Sequence, residues 1–409
     1  MLVQDTEAEA VFRAQVHDFL SAFAPAKDDP GDYLAAYQAG RLSHSEYLAA
    51  AKAWQRLLAE HGWAGITWPQ EYGGRGSTGL DAAIFAEEER AFGVYSGVFA
   101  VGMGMAGPAI MAHGTEEQKS HFLPAILSGA QVWCQLFSEP GAGSDLAGVA
   151  TRAVRTGDEW IVNGQKVWTS GAHDSDLGIL LARTDLDVPK HRGMTFFLCD
   201  MDDPGIDIRP IPQMNGDAEF NEVFFTDVRV PHERVLGQVG QGWAVAMTTL
   251  ASERLMMGGI RVGLGFDDLR QLAERHGRTE DPAIRQALAG VYIDSEIIRY
   301  LGMRVRVATS RGQEAGAAAN VMKLFTAWQL KRLADAALSI EGAAGMLAGP
   351  DAPSDGAWQH HFLTSPSIRI AGGSDEVQRN IIGERVLGLP PEPRVDKNVP
   401  FRQLNERAR

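Results

Sequence analysis

The first candidate for acid–base chemistry is a carboxylate inside an apolar segment. Glu253 precedes Arg254 in a Met- and Gly-rich stretch that has the composition of a buried helix. Burial and a neighbouring cation can set the pKa of such a carboxylate so that it acts as a general base. An ordinary ion pair between the two residues explains the same pattern, and without further context it is the favoured interpretation.

A glycine pair near the C-terminus is the second candidate. Gly372-Gly373 is followed by Ser374, a predicted helix N-cap, and then by acidic residues including Glu376. The free N–H groups at a helix start can bind an anion or a carbonyl oxygen. A plain helix start is equally consistent with these residues.

Two further motifs have the composition of a cofactor site. Residues 137–145 read Phe-Ser-Glu-Pro-Gly-Ala-Gly-Ser-Asp and follow a predicted strand. Small residues let the backbone approach a ligand, and the Ser138 and Ser144 hydroxyls add directional hydrogen bonds. Further on, Trp168 offers a flat aromatic face, and Ser170 lies on the same side of the strand. A tight β-turn and a core tryptophan are the alternative interpretations.

The elements that carry these motifs change type twice along the chain. Residues 1–130 have helical periodicity, residues 131–238 form short β-type runs, and residues 239–390 are helical again. We therefore predict an α+β protein with an N-terminal α-helical domain, a middle antiparallel β-barrel or sandwich, and a C-terminal helical bundle. Residues 391–409 are predicted to be an extended tail. Asn163-Gly164 predicts a hairpin turn, after which a new strand begins.

One glycine motif is predicted to have no cofactor role. Gly102-x-Gly104-x-x-Gly107 matches the dinucleotide-binding pattern, but it lies in a helical region and Pro108 follows it. The dinucleotide fingerprint needs a preceding strand and a βαβ unit. Close helix packing by small residues is the favoured interpretation.

Composition excludes several classes of partner. The 409 residues contain 38 Lys and Arg against 52 Asp and Glu, a formal charge of −14, which disfavours nucleic acid and anionic membranes. Two cysteines, Cys134 and Cys199, are predicted to be buried thiols in a reducing cytoplasm. No signal peptide is visible, and the uncharged segment 93–112 is expected to be a buried helix, not a membrane span. His360-His361 has no other ligands at metal-binding spacing, so no metal is predicted.

In their order and spacing, these motifs resemble the acyl-CoA dehydrogenase superfamily over residues 8–389. The resemblance implies a helical domain, a β-barrel and a four-helix bundle, with FAD as the cofactor. Most members carry a glutamate where this sequence has Gly372. A minority, which includes isovaleryl- and long-chain-type enzymes, carries it directly before an arginine, as in Glu253-Arg254. The resemblance therefore implies Glu253 as the catalytic base, and the ion pair becomes the less favoured interpretation.

The resemblance also assigns roles to the other motif residues. Glu253 removes the pro-R α-proton, the Gly372 N–H and a flavin ribityl hydroxyl polarise the thioester carbonyl, and the β-hydride passes to flavin N5. Arg254, Ala371 and Ser144 are implied to contact the substrate. The implied cofactor contacts are Phe137, Ser138, Gly143 and Ser144 at FAD or the thioester, Trp168 beside the flavin, Ser170 near N5, Arg275 at the pyrophosphate across a dimer interface, and Ser374 and Glu376 at the adenosine half.

The sequence departs from the family where subunits share FAD. Arg278 replaces a phenylalanine, Ser339 and Ala343 replace a glutamine and a glycine, and Glu376 replaces a common glutamine. The resemblance implies a homodimer or homotetramer, but these departures allow a different partner chain to complete the site, as in heteromeric members.

The predicted function is FAD-dependent α,β-dehydrogenation of an acyl-CoA thioester to the trans-2-enoyl-CoA in lipid catabolism. An electron-transfer flavoprotein is the expected electron acceptor. Ala371-Gly372 stands in place of a bulkier Tyr-Glu pair, which predicts room for a branched or ring-bearing acyl group. A flavin oxidase or monooxygenase on the same fold is one alternative function, and a subunit of a heteromeric acyl-CoA dehydrogenase is another.

Overall fold

The computed structural model describes residues 5–27, 29–38, 41–259, 264–310, 316–394 and 396–407. The helices are α1 (Glu7–Phe23), α2 (Tyr33–Gln38), α3 (His44–Glu60), α4 (Gly79–Glu89), α5 (Gly107–His113), α6 (Glu116–Leu127), α7 (Gly242–Gly259), α8 (Phe266–Arg275), α9 (Pro282–Ser310), α10 (Gly316–Glu341), α11 (Ala357–Ile368), α12 (Asp375–Ile381) and α13 (Phe401–Arg407). The strands are β1 (Trp133–Leu136), β2 (Arg152–Thr156), β3 (Glu159–Ser170), β4 (Leu177–Arg183), β5 (Met194–Asp200), β6 (Ile206–Pro210), β7 (Phe220–Pro231) and β8 (Val235–Leu236).

This order of elements confirms the predicted α+β architecture of helices, sheet and helices. The predicted domain boundaries stay predictions; the changes of element type fall between Leu127 and Trp133 and between Leu236 and Gly242. By internal contacts the chain divides into two compact units. The first unit contains Met1–Ile211, Glu219–Ser252 and Val395–Arg409, and the second contains Pro212–Ala218 and Glu253–Arg394.

Capping boxes start the helices of the N-terminal region. Thr6 with Glu9, Ser43 with Glu46, and Thr115 with Gln118 each form both reciprocal hydrogen bonds of the motif. Each box satisfies two backbone donors that the helix itself cannot pair, which is worth about 1 kcal/mol per cap. Between the helices, a buried cluster forms the core of this region; its members include Val16, Leu20, Trp54, Leu58, Trp63 and Phe85.

The glycine motif at 102–107 lies in a helical turn, as predicted. Gly102–Ala106 is a π-helical segment that continues into α5. A Cβ added to Gly107 would lie 2.3 Å from Trp68 Cζ2, and one added to Gly102 would lie 3.3 Å from Trp133 Cδ1. Small residues are therefore needed here for two indole rings to pack against the helix, and the packing interpretation is confirmed.

The eight strands form one sheet with the path β6-β7-β3-β2-β4-β5-β8, and β1 pairs with β4. Most pairs are antiparallel, as predicted, but β1 and β2 each pair with β4 in parallel. A parallel pair needs a long connection, and the hairpin of β2 and β3 lies between β1 and β4 in the sequence. Cys134 and Cys199 are buried in the core of the sheet, and burial raises the pKa of both thiols.

The predicted hairpin turn at Asn163-Gly164 is wrong. β3 continues through both residues, and the turn between β2 and β3 lies at Gly157-Asp158. The Asn163 side chain instead donates to Asp227 on β7 at 3.0 Å. Gly164 has a φ of 153°, and a Cβ there would lie 2.5 Å from Thr151 Oγ1. Glycine is required at this position for close strand packing rather than for a turn.

The C-terminal tail also differs from the prediction. Residues Phe401–Arg407 form a helix, not an extended segment. Phe401 is buried with its ring 3.8 Å from the guanidinium carbon of Arg183, and its N–H donates to the Val188 carbonyl. Arg402 pairs with Asp187 at 2.8 Å. A short charged segment acquires helical structure here because an aromatic ring covers a buried cation, which composition alone does not reveal.

The second unit has its own helical core. Side chains of α8, α9, α10 and α11 form one buried cluster, which includes Leu269, Leu272, Val291, Leu333, Ala337 and Trp358. Across the described part of the whole chain, no helix is long and apolar enough to span a membrane.

Candidate active site

In the first unit, residues 137–145 form a tight turn at the end of β1. The N–H and carbonyl groups of Glu139 and Ala142 exchange two hydrogen bonds of 3.0 Å, so Pro140-Gly141 lies at the tip. Added Cβ atoms at Gly141 and Gly143 would meet nothing within 4 Å. The fold itself therefore does not require glycine at these two positions, whereas a ligand that lies against the backbone would.

A buried ion pair holds this turn against the sheet. Lys166 is fully buried and its Nζ donates to Glu139 Oε1 at 2.8 Å, to the Phe137 carbonyl at 3.0 Å and to the Leu181 carbonyl at 2.8 Å. The Glu139 carboxylate also accepts from the backbone N–H groups of Ala150 and Thr151. All three ammonium donors are used, so β1, β3 and β4 are joined at one point.

Burial has opposite effects on the two charges of this pair. It lowers the pKa of Lys166 to about 8, against the raising influence of Glu139. Burial alone would raise the pKa of Glu139, but the Lys166 charge, the Lys166 hydrogen bond and the Ala150 N–H hold it below its usual value. Both groups are charged at neutral pH.

Trp168 is exposed because the strand bulges beneath it. The pairing of β3 with β7 shifts register between Lys166 and Thr169, and Trp168 has a φ of 62°. Its side chain is 60% exposed, while Thr169 is buried and Ser170 is exposed. A bulky residue at positive φ costs roughly 1–3 kcal/mol and is found mostly at functional sites. The bulge presents an aromatic face and a hydroxyl on the same side of the strand.

The other predicted residues of this unit differ in exposure. Gly143 and Ser144 are exposed and Ser138 is half-buried. The Phe137 side chain is buried and lies edge-on to Phe196, with ring centroids 5.7 Å apart. The structure therefore gives the Phe137 ring a packing role and leaves only its backbone near the turn.

In the second unit, Gly372 and Gly373 form the turn before α12. Their φ values are 64° and 93°, a conformation that favours glycine. Gln378 Nε2 donates to the Gly372 carbonyl at 3.1 Å, and the Ser374 hydroxyl accepts from the Val377 N–H as the predicted N-cap. Within the described ranges, the Gly372 N–H donates to no acceptor. This donor is therefore available for a ligand.

Lys323 connects this turn to the proposed base. It lies on α10, is 6% exposed, and donates from Nζ to the Gly373 carbonyl at 2.6 Å. Burial lowers the pKa of Lys323, while the carboxylates of Asp375, Glu253 and Glu376 oppose that effect. The half-buried Glu253 carboxylate is thus close enough to the Lys323 ammonium to influence its pKa.

A buried carboxylate, that of Asp375, also supports the Gly372-Gly373 turn. Asp375 is 1% exposed and accepts from Arg369 Nε at 2.8 Å, and the Arg369 guanidinium lies over the Trp328 ring. Glu376, by contrast, is exposed and pairs weakly with Arg379 at 3.4 Å. The turn is therefore anchored by Asp375, and Glu376 faces outward. Ala371 is exposed. The side chain of Arg254 lies outside the described part of the structure.

Two of the departures in the predicted inter-subunit site, Arg278 and Ser339, contact each other. Arg278 donates to the Ser339 carbonyl at 3.0 Å and to Asp281 at 2.6 Å. The Arg278 side chain thus binds the C-terminal turn of α10, where a cation is favourable. Arg275 and Ala343 are exposed.

Three family models match consecutive parts of the chain. They describe the acyl-CoA dehydrogenase N-terminal domain at residues 6–130, the middle domain at 134–228 and the C-terminal domain at 240–387. This chain belongs to the acyl-CoA dehydrogenase family. The resemblance seen in the sequence is therefore confirmed, and the chain is an acyl-CoA dehydrogenase-type oxidoreductase. The family is FAD-dependent.

Relatives of this acyl-CoA dehydrogenase include mycobacterial members and a steroid ACAD. It is 42% identical over 340 residues to the acyl-CoA dehydrogenase IpdE1 of Mycobacterium tuberculosis, covering 82% of this chain and 87% of that protein. Its structure matches the steroid ACAD Tcur3481–Tcur3483 with a TM-score of 0.78 and 29% identity, over 96% of this chain and 100% of that one. It also matches the ChsE4–ChsE5 complex of Mycobacterium tuberculosis with a TM-score of 0.78 and 29% identity, over 95% and 100% of the chains.

No role was predicted for two buried lysines, one in each unit. Lys166 lies in Gln-Lys-Val-Trp on a strand, and Lys323 lies in Val-Met-Lys-Leu-Phe on a helix. A single lysine in an apolar segment, as at Lys323, or within a buried strand, as at Lys166, indicates burial, and a buried ammonium needs several acceptors. That signal was present in the sequence, although the identity of the acceptors was not.

Proposed function

We propose that this acyl-CoA dehydrogenase removes the α-proton of an acyl-CoA thioester with Glu253 and transfers the β-hydride to FAD. The proposal rests chiefly on Lys323, which brings Glu253 and the Gly372-Gly373 turn into one electrostatic environment. A thioester α-proton is too weakly acidic to leave unaided at neutral pH. A positioned carboxylate and a donor at the carbonyl oxygen must therefore act together.

The second-unit residues supply the proton chemistry. Glu253 accepts the α-proton, and the Lys323 charge keeps the carboxylate ionised before the reaction. The Gly372 N–H, which has no acceptor in the described part of the chain, donates to the thioester oxygen as negative charge develops there. Lys323 and Gln378 hold the turn so that this N–H needs little reorganisation.

The first-unit residues fit a flavin and its phosphates. The exposed Trp168 face would lie beside the ring system, with the Ser170 hydroxyl near it. The open backbone at Gly141 and Gly143, with the Ser138 and Ser144 hydroxyls, would hold phosphate oxygens or the thioester. When bound, FAD supplies the hydride acceptor. Arg275, Ser374 and Glu376 stay proposed contacts of its adenosine and pyrophosphate parts.

We propose a ring-bearing acyl group as the substrate. Ala371 is exposed and small, and Gly372 has no side chain, so little bulk lies beside the proposed carbonyl donor. Structural similarity to a steroid ACAD also supports a ring-bearing acyl group. Arg254 stays a proposed substrate contact. A preference for short straight-chain acyl-CoAs in a substrate panel would contradict this part of the proposal.

We further propose an oligomer that passes electrons to an electron-transfer flavoprotein. On α9, Ile293, Ile297 and Tyr300 are 55%, 39% and 51% exposed and lie on one helical face, as expected for a subunit contact. The matched ChsE4–ChsE5 structure is a complex of two chains. Because Arg278 occupies the C-terminal turn of α10, the proposal includes a heteromer in which a different partner chain completes the FAD site.

Replacement of the base tests the mechanism. Glu253→Gln should keep the fold and the flavin but lower the anaerobic rate of flavin reduction on the order of 10²–10⁴-fold, since it cannot accept the proton. Glu296→Gln is the matched control, because Glu296 is another helical glutamate of the second unit, and its carboxylate pairs with Arg299. A Glu253→Gln variant that reduces flavin within tenfold of the wild type would remove Glu253 from the mechanism.

A further inference from the structure

Two histidines and an aspartate of the first unit lie close together. His44 is the first residue of α3, and His173 and Asp174 lie in the short helical turn after β3. His44 Nε2 is 2.8 Å from both carboxylate oxygens of Asp174, and His173 Nε2 is 3.5 Å from Asp174 Oδ2. One ligand-type atom from each side chain lies within 4.8 Å of the other two. No other such group of His, Cys, Asp or Glu was found among the described residues.

The hydrogen bonds of Asn221 determine which His173 nitrogen carries the proton. Asn221 Nδ2 donates to the carbonyls of Thr169 and Glu219, both at 2.9 Å. The amide orientation is therefore set, and Asn221 Oδ1 faces His173 Nδ1 at 3.1 Å. Since Oδ1 can only accept, Nδ1 must donate. A neutral His173 then presents an unprotonated Nε2 to the cluster.

This arrangement leaves two acceptors facing each other. The Nε2 lone pair of His173 lies 3.5 Å from a carboxylate oxygen of Asp174. The other contact of that carboxylate is His44 Nε2, which supplies one proton. Two acceptors in this position need a hydrogen-bond donor or a cation between them, and a metal ion ligated by both is the occupant that also uses the His44 nitrogen.

The surroundings of His44 suit a metal ligand. His44 Nδ1 lies 3.1 Å from the Tyr37 hydroxyl, which can accept a hydrogen bond when Nε2 binds a metal. Ligating histidines usually donate their other N–H to such a partner, which fixes the ring orientation. Tyr37 stacks on Tyr47, with ring centroids 4.4 Å apart, so the hydroxyl is itself held in place. Both histidines therefore have the outer partners of metal-binding imidazoles.

We propose that His44, His173 and Asp174 bind a divalent transition-metal ion of the zinc class. Two imidazole nitrogens and a carboxylate suit Zn²⁺, with bonds of about 2.0–2.2 Å and a fourth position for water. The ligand atoms need to separate only slightly, because the ion replaces the proton that His44 shares with Asp174. The side chains of His44, His173 and Asp174 are 45%, 32% and 18% exposed, so the ion can enter from solvent.

The site would tie two distant segments together. His44 and Asp174 are 130 residues apart, and this separation explains why the sequence predicted no metal site. The bound ion would fix α3 to the turn that directly follows Ser170. Metal binding should therefore stabilise the folded first unit by mass action.

Calorimetric titration with Zn²⁺ tests the proposal. We expect the holoenzyme, freed of metal with a chelator, to bind one Zn²⁺ per chain at this cluster, while the His44 proton moves from Nε2 to Nδ1, where it faces the Tyr37 hydroxyl. His173→Gln and Asp174→Asn should each weaken that binding at least tenfold. His17→Gln is the matched control, because His17 forms an exposed pair with Glu88 whose neighbour is Arg13, not a second histidine.

The variants must also be shown to fold. Circular dichroism and flavin content should match the wild type in all three proteins, and Zn²⁺ should raise the melting temperature of the wild type and of His17→Gln only. Wild-type protein without a Zn²⁺ site would overturn the proposal and leave a hydrogen-bond donor such as water between His173 and Asp174. Equal Zn²⁺ affinity in wild type, His173→Gln and Asp174→Asn would overturn it as well.

Discussion

Lys166 and Lys323 are both buried lysines, but they serve regions that are built differently. In the sheet region, Lys166 has three acceptors, one of them the carboxylate of Glu139. In the helical region, Lys323 donates to one carbonyl among the described residues, that of Gly373, and the carboxylates of Asp375, Glu253 and Glu376 also raise its pKa. The three short contacts of Lys166 hold the 137–145 turn rigidly against the sheet. Lys323 positions the Gly373 carbonyl with one hydrogen bond, and its charge also acts on nearby carboxylates, whose protonation can change. A rigid turn suits a surface that binds a cofactor. A nearby charge suits a base that must gain and lose a proton.

Removal of the sheet lysine should have the largest effect on the fold. Lys166→Met leaves the buried Glu139 carboxylate without its cation, which is expected to lower the free energy of unfolding by about 3–5 kcal/mol. Urea denaturation measures this. Lys119→Met is the control, because Lys119 pairs with the exposed Glu116 and should leave the midpoint nearly unchanged.

A double replacement separates charge from shape at this position. Lys166→Met with Glu139→Leu removes both charges and should recover part of the lost stability, since a buried pair can be replaced by apolar groups at little cost. If the double variant is no more stable than Lys166→Met alone, the unpaired Glu139 charge is not the cause of the loss.

Removal of the helical lysine should change catalysis more than stability. Lys323→Met is expected to lower turnover about tenfold, equivalent to ~1.4 kcal/mol, which is within the range for a hydrogen bond to a charged group. A positive neighbour favours an ionised carboxylate, so its loss raises the pKa of the base. The acidic limb of kcat/KM should therefore move to higher pH.

The control for this prediction is on the same helix. Lys331→Met removes an exposed lysine of α10 that pairs with Asp335, and it should leave the pH profile unchanged. The charged groups that act on Lys323 are Glu253, Asp375 and Glu376, and all three remain in both variants. An unmoved acidic limb in Lys323→Met would mean that this lysine only positions the Gly373 carbonyl.

Trp168→Ala should have the smallest effect on the fold of these changes. The ring is 60% exposed, so its loss should alter the stability of the flavin-free protein little, while FAD affinity falls roughly tenfold or more through lost stacking. FAD release followed by fluorescence measures this. Val154→Ala, at a 44% exposed strand residue, is the control. Unchanged FAD affinity in Trp168→Ala would contradict the platform assigned to the sheet region.

Local signals predicted much of this fold. Capping boxes at Thr6, Ser43 and Thr115 define helix starts from residues three positions apart, and such short-range chemistry is readable in sequence. The Asn163-Gly164 hairpin failed because pairing with β7 overrode a local turn preference. Helix α13 was missed because its anchor, Arg183, is more than two hundred residues away in the chain.

The candidate site likewise contains some residues that the sequence pointed to and others that only the structure revealed. Glu253, Gly372 and Trp168 were singled out as candidates from their motifs, and the resemblance to the family implied their roles. Lys166 and Lys323 were not, because their roles depend on carbonyls such as those of Leu181 and Gly373, which no motif specifies. Backbone acceptors are present at every residue, so only the folded chain shows which of them a buried cation uses.

Anaerobic titration of the purified protein with acyl-CoAs tests the central claim most directly. The account predicts a yellow protein whose flavin absorbance near 450 nm (roughly, a general property of oxidised flavin) bleaches on addition of a ring-bearing acyl-CoA. Formation of the corresponding 2-enoyl-CoA should match the flavin reduced. A flavin-loaded protein that no acyl-CoA reduces would contradict the proposed dehydrogenation.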